Sequence, residues 1–220
     1  MKTFAAFLLA SSLAAATPVH AQSKWRHTPA GQPSIGCGDF NYGPSAIGPL
    51  DYRFTDAGTI NLVERRHFTP KVERLLGGEA GTIAGDIAYT LNAFPNHVRA
   101  LRSAAELTRR NGGRMPAHMN FSVTCWFDRA IAFRPDDVQV RLLWGFELAR
   151  SKQTAAALEQ ARVAESLSKD SPVVHYNLGL LYFELKEYEK SMANAKIAYD
   201  LGYNLPGLRD KLTKAGQWRQ

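Results

Sequence analysis

Residues 171–203 contain two runs of apolar positions at helical spacing, joined by the short charged turn Lys186-Glu187. Apolar side chains of the first run recur at i, i+3, i+4 and i+7, which places them on one face of a helix. They are Leu178, Leu181, Tyr182 and Leu185. Small residues lie where the two helices would touch, namely Gly179, Ser191 and Ala198. The pattern therefore predicts two helices packed closely against each other.

The same arrangement occurs earlier in the chain. Gly145 precedes Gly179, and Ala164 precedes Ala198, by the same number of residues. This interval is the length of the tetratricopeptide (TPR) repeat, a 34-residue unit of two helices. The segment YNLGLLYFELKEYEKS resembles the first helix and turn of that motif nearly residue for residue. The resemblance predicts two repeats, 138–171 and 172–205.

Less regular helical patterns flank these two repeats. Residues 59–137 show the spacing of degenerate TPR-like units that end at Pro95 and Pro135. The interval between these prolines exceeds the repeat period by six positions, and the surplus falls in the loop 111–120. Residues 206–220 form an amphipathic segment suited to covering the exposed face of the last repeat. We therefore expect an all-α fold, a TPR-like solenoid of helical hairpins with a C-terminal capping helix.

The first 21 residues have the pattern of a secretory signal peptide. One early lysine precedes a short apolar stretch, and Val19-His20-Ala21 then predicts cleavage after Ala21. The alternative is an N-terminal membrane helix, but the apolar stretch is short and Pro18 follows it. No later segment is long and apolar enough to cross a membrane. We expect an exported protein, periplasmic or secreted, without a membrane span.

Residues 22–58 predict an irregular N-terminal arm, because they are rich in glycine, proline and serine and show no regular period. The arm also carries aromatic side chains: Trp25, Phe40, Tyr42, Tyr52 and Phe54. So many aromatics favour an arm that lies across the helical body and buries some of them. After export, Cys37 and Cys125 would reside in an oxidising compartment, which favours a disulfide. Two unpaired thiols are the alternative, since the sequence does not give the distance between them.

Composition and motifs restrict the class of function. An apolar fraction of 45% indicates a globular chain, and the net charge of +7 is spread over several short clusters. This spread argues against a dedicated nucleic-acid interface. Glu64 and His67 have the spacing of a chelating pair on one helix face, but no second pair accompanies them. Since no catalytic motif occurs either, we expect no enzymatic activity, no cofactor and no metal.

The TPR resemblance implies a function, because arrays of this family bind peptides or protein partners on the concave surface of their first helices. In the first repeat this surface would present Gln139, Leu142, Leu143, Phe146 and Arg150. In the second it would present Val173, Tyr176, Asn177, Leu180 and Glu184. The family's carboxylate clamp is matched only at Asn177, so a clamp is not expected.

The leading hypothesis is an exported scaffold or adaptor that binds a protein or peptide partner on this surface. In a short array the N-terminal arm is an alternative occupant of the same surface. The alternative function is a basic-surface binder of anionic envelope polymer or nucleic acid, whose affinity would fall steeply with salt.

Overall fold

The computed structural model describes residues 36–40 and 47–219. Within these ranges the chain forms ten helices and no β-strand, which confirms the all-α class. The helices are α1 (Ala57–His67), α2 (Pro70–Glu73), α3 (Ile83–Ala93), α4 (Val98–Arg110), α5 (Val123–Phe133), α6 (Val138–Arg150), α7 (Thr154–Leu167), α8 (Pro172–Glu184), α9 (Tyr188–Asp200) and α10 (Gly207–Lys214). The predicted signal peptide, with Trp25 and Tyr42 of the arm, lies outside the described residues.

Consecutive helices pack as neighbours along the chain. Helix α6 packs on α7 and α8 packs on α9, while α4 contacts α6 and α6 contacts α8. Helices α6 and α8 begin at Val138 and Pro172, and α7 and α9 begin at Thr154 and Tyr188, so both pairs are offset by one 34-residue repeat. Helix α10 packs on both α8 and α9. The helices α4, α6 and α8 are therefore in successive contact, and their side chains form a shared surface.

Helices α6, α8 and α9 end in the same hydrogen-bonded turn. After α6, Lys152 adopts a left-handed backbone with φ of 60°, and the Gln153 N–H donates to Leu148 O at 2.9 Å. The turns after α8 and α9 repeat this pattern, with Lys186 at φ 61° and Gly202 at φ 87° in the left-handed position. This is the Schellman arrangement, in which the left-handed residue is usually glycine. Lysine therefore occupies an unfavourable conformation in two of these three turns.

Small residues allow close approach between helices where the repeat pattern predicts contact. A Cβ atom built on Gly179 would overlap Leu208 Cδ2 of α10 and would lie 3.2 Å from Ser191 O of α9. The Ser191 hydroxyl in turn donates to Gly179 O at 2.7 Å. On α6, a Cβ atom on Gly145 would lie 2.6 Å from Leu181 Cδ2. A side chain at either position would therefore force a neighbouring leucine to shift, which glycine avoids.

The surplus loop 111–120 contributes to the interior. Met119 is 1% exposed and belongs to the main apolar cluster, together with Trp126 and Phe127 of α5. Pro116 is also buried, whereas Met115 is exposed. The loop therefore carries one side chain into the core between the helices it connects, and only part of it is surface.

The described part of the arm is fixed to the helical body, first by a disulfide between Cys37 and Cys125. The two Cα atoms are 5.1 Å apart, and the predicted bridge is confirmed. Beside it, the buried Arg129 of α5 donates from Nη1 to Cys37 O at 2.8 Å and to Asp39 O at 2.7 Å. The Phe40 ring stacks at 4.8 Å on the same guanidinium. Burial lowers the pKa of Arg129 to about 10, although the nearby Asp39 favours the charged form.

A second anchor holds residues 50–53 against the turns between helices. The Leu50 N–H donates to Ala93 O at 2.8 Å. The amide of Asn96 donates from Nδ2 to Asp51 Oδ1 at 2.7 Å and to Asp137 Oδ2 at 2.9 Å. Burial alone would raise the pKa of Asp51, but hydrogen bonds from Arg53 and Asn96 outweigh it and lower the pKa to about 2.

The arm buries some of its aromatic side chains, as expected. Phe40 is buried and Tyr52 is half-buried, whereas Phe54 remains 74% exposed. The arm contacts described above lie on α5, at the end of α3 and in the turns before α4 and α6.

Candidate functional site

The predicted binding residues lie on α6 and α8, where two adjoining pockets meet at Phe146. The smaller pocket, of about 80 Å³, is lined by Val98, Arg102, Gln139, Leu142, Leu143, Phe146 and Asn177. The larger pocket, of about 400 Å³, is lined by Phe146, Ala149, Arg150 and Glu184. We call the surface formed by these ten residues the groove. It crosses the successive helices α4, α6 and α8.

Seven of the ten predicted residues line the groove: Gln139, Leu142, Leu143, Phe146, Arg150, Asn177 and Glu184. Leu142 and Leu143 are only 3% and 8% exposed, so they form its floor and are held in the apolar clusters beneath. Gln139, Arg150 and Glu184 are exposed, and Phe146 and Asn177 are half-buried. Val173 is 44% exposed and Leu180 is half-buried, but neither lines these two pockets.

The expectation that Tyr176 faces an accessible surface is wrong. Tyr176 is 8% exposed, and its hydroxyl accepts a hydrogen bond from the Leu208 N–H of α10 at 3.2 Å. Its ring lies 4.5 Å from that of Tyr203. Tyr176 precedes Gly179 by three residues and therefore points only about 60° away from it on the helix. Helix α10, which packs on Gly179, consequently covers the tyrosine as well.

Two groove residues on α4, Val98 and Arg102, are additions to the sequence prediction. In the repeat register, Val98 corresponds to Val138 and Arg102 corresponds to Leu142. The interval between the corresponding residues is six positions longer than the repeat period, because loop 111–120 lengthens this unit. A search at the 34-residue period therefore does not align α4 with α6. The spacing between Pro95 and Pro135 is the sequence signal that corrects the register.

The charges around the groove are unevenly compensated. Glu184 pairs with Lys211 of α10 at 3.3 Å, and Glu147 pairs with Arg109. Hydrogen bonds from Arg110 and Arg109 hold Glu106 of α4 and lower the pKa of its carboxyl. By contrast, Arg102 and Arg150 are exposed and form no hydrogen bond or ion pair within the described ranges. The uncompensated charge in the groove is therefore positive.

A separate polar cluster lies where α1 meets the start of α4. The buried His97 contacts Glu64 Oε1 through Nε2 at 2.9 Å, and its Nδ1 accepts the Ala100 N–H at 3.2 Å. The Nε2 atom therefore carries the proton that it donates to the carboxylate. Burial lowers the pKa of His97, and the hydrogen bond from His97 is the main cause that lowers the pKa of Glu64 to about 2. This pairing supports the fold, and neither of its residues lines the groove.

The Glu64 and His67 side chains, which have chelating spacing in the sequence, do not act together. Glu64 binds His97 and Arg99, whereas His67 contacts Asp86 Oδ1 at 3.0 Å through Nδ1. Over the ranges 36–40 and 47–219, no group of three or more histidine, cysteine, aspartate or glutamate side chains is arranged to hold a metal ion.

No helix in the described part of the chain is long and apolar enough to cross a membrane. Compared with known proteins, the chain matches no family model, no curated protein and no solved structure.

Proposed function

We propose that this protein is an exported, TPR-like scaffold or adaptor that binds a segment of a protein partner in the groove. The equal 34-residue offsets of α6 to α8 and of α7 to α9 support the TPR-like arrangement. In this arrangement α10 acts as the capping helix, because it covers Gly179 and Tyr176. The disulfide is compatible with an oxidising compartment and so supports export.

The observation that carries the proposal is the position of Phe146. Its half-buried ring borders both pockets and lies over a floor formed by Leu142 and Leu143. Interfaces concentrate their binding energy in a few such aromatic positions surrounded by polar groups, here Gln139 and Asn177. The described arm residues contact α1, α3, α5, the start of α4 and the turns, and none of them lines the two pockets of the groove.

Site-specific photocrosslinking tests the proposal. The photoreactive amino acid p-benzoylphenylalanine is placed at Gln139 or Asn177 in the groove, and at the exposed Ala193 of α9 as the control. The full-length protein is then irradiated in cells that produce it. We expect the same partner to be captured at both groove positions and not at position 193.

The substitution Phe146→Ala should reduce that crosslink about fivefold or more, since it removes the central aromatic contact. A melting curve of the variant checks that the fold is retained. Capture that is equal at position 193, or that is unaffected by Phe146→Ala, would refute binding in the groove.

A further inference from the structure

The arginines of this protein fall into two groups. Most of those on α4 to α7 are already engaged: Arg99 binds Glu64 and Glu73, Arg109 binds Glu106 and Glu147, and Arg162 binds Glu159. Arg141 donates to Gln160 and to the carbonyl of Pro135. Arg102 and Arg150 differ, because each borders a groove pocket and neither is engaged by the described residues.

The two arginines border different pockets of the groove. Arg102 of α4 borders the smaller pocket, Arg150 of α6 borders the larger one, and Phe146 belongs to both. Among the described residues that line these pockets, the one acidic side chain, Glu184, is compensated by Lys211. A ligand that occupies both pockets would therefore meet one arginine in each of them, the Phe146 ring that they share and the leucine floor of the smaller pocket.

We propose that the groove selects an acidic peptide segment, with an aromatic or large apolar side chain flanked by carboxylates. This inference rests on the proposed function and specifies the chemistry of the partner. The apolar side chain would pack against Phe146, and the carboxylates would accept hydrogen bonds from the guanidinium groups of Arg102 and Arg150. Asn177 and Gln139 add neutral groups that can bond the peptide backbone.

Charge complementarity favours this ligand over a polyanion. A nucleic acid or anionic polymer gains affinity from many phosphate or carboxylate contacts along a basic surface. The groove offers one unpaired arginine in each of two pockets that share an aromatic ring, which matches discrete carboxylates on either side of an apolar side chain. A peptide supplies both in one short segment.

The test uses short fluorescein-labelled synthetic peptides and the full-length protein, with fluorescence anisotropy as the readout. One peptide carries a central phenylalanine flanked on both sides by glutamates, and the matched peptide carries glutamine in place of every glutamate. We expect the glutamate peptide to bind about tenfold more tightly than the glutamine peptide. Arg102→Gln and Arg150→Gln should each weaken its binding about threefold, as expected for a partly exposed charge pair.

The double variant Arg102→Gln/Arg150→Gln should abolish the preference for glutamate over glutamine. Arg66→Gln, at an exposed arginine of α1 without a partner among the described residues, is the matched control and should change affinity by less than about twofold. Arg150→Lys should restore part of the preference, since it returns the charge without the planar guanidinium.

Other outcomes separate this inference from the proposed function. If both peptides bind equally and Phe146→Ala weakens both, the acidic preference is refuted while binding in the groove stands. If Arg66→Gln weakens binding as much as Arg102→Gln and heparin competes, a diffuse basic surface replaces the proposal. If neither peptide binds, the inference is refuted, and the crosslinking result still decides the proposed function.

Discussion

Removal of the Cys37–Cys125 disulfide should strongly destabilise the protein. The bridge joins residues separated by 88 positions in the sequence. In the chain-entropy treatment, closing a loop of that length lowers the entropy of the unfolded chain enough to stabilise the fold by about 4.6 kcal/mol. For a domain of this size, a loss of that magnitude corresponds to a decrease in melting temperature of roughly 10–18 °C.

The local structure indicates what remains after reduction. Arg129 would still donate to Cys37 O and Asp39 O, and Phe40 would still stack on its guanidinium. If the arm detached, the buried guanidinium would lose these two carbonyl acceptors, which adds a further penalty. The arm should therefore stay docked on the reduced protein, and the loss should be close to the entropic value.

Thermal melts with and without reductant measure this effect. The double variant Cys37→Ser/Cys125→Ser should melt about as low as the reduced wild type, and reductant should not change its melting temperature. A decrease of less than about 3 °C on reduction would refute the reasoning, because the unfolded chain would then gain little freedom.

Three further predictions concern stability. Lys186→Gly should raise the free energy of unfolding by about 0.5–1 kcal/mol in urea titrations, since glycine adopts the left-handed backbone of this turn without strain. The control Ala193→Gly, in the interior of α9, should lower the free energy of unfolding by about 1 kcal/mol. Tyr176→Ala should lower the free energy of unfolding by about 3 kcal/mol as a core residue, and unchanged stability would contradict its burial under α10. Folding lowers the pKa of His97 from 6.5, so below pH 6.5 the unfolded chain binds a proton at His97 more readily than the folded protein does. Folding also lowers the pKa of Glu64 from 4.5 to about 2, so between these two pH values the unfolded chain likewise binds the proton more readily at Glu64. Stability should thus decrease with acidification, and His97→Asn, which can still cap α4, should flatten the upper part of the urea-midpoint curve.

Most of the helices could be predicted from the sequence, because their apolar residues recur at helical spacing and several of them begin at a capping residue. Ser122 and Asp137, for example, cap α5 and α6 through their side-chain oxygens. The Cys37–Cys125 pairing could be predicted as well, although its geometry required the structure. In these cases the information is local, or there is only one possible pair.

Other features depend on contacts between distant parts of the chain. The burial of Tyr176 is determined by where α10 lies, and nothing within α8 indicates that position. The spacing of Pro95 and Pro135 gives the register of α4, but the packing of α4 on α6 that brings Arg102 to the groove is a long-range contact and required the structure. Loop 111–120 places Met119 in the core, although its glycine-rich sequence indicates surface.

Chemical-shift mapping tests the central claim most directly, that the surface shared by α4, α6 and α8 binds a peptide segment. Nitrogen–proton correlation spectra of the labelled protein are recorded during titration with the glutamate-flanked phenylalanine peptide. We predict shift changes concentrated around Arg102, Phe146 and Asn177, which are absent in the Phe146→Ala variant. Changes concentrated on α5 and the arm, or spread over the basic residues of α1, would contradict the account.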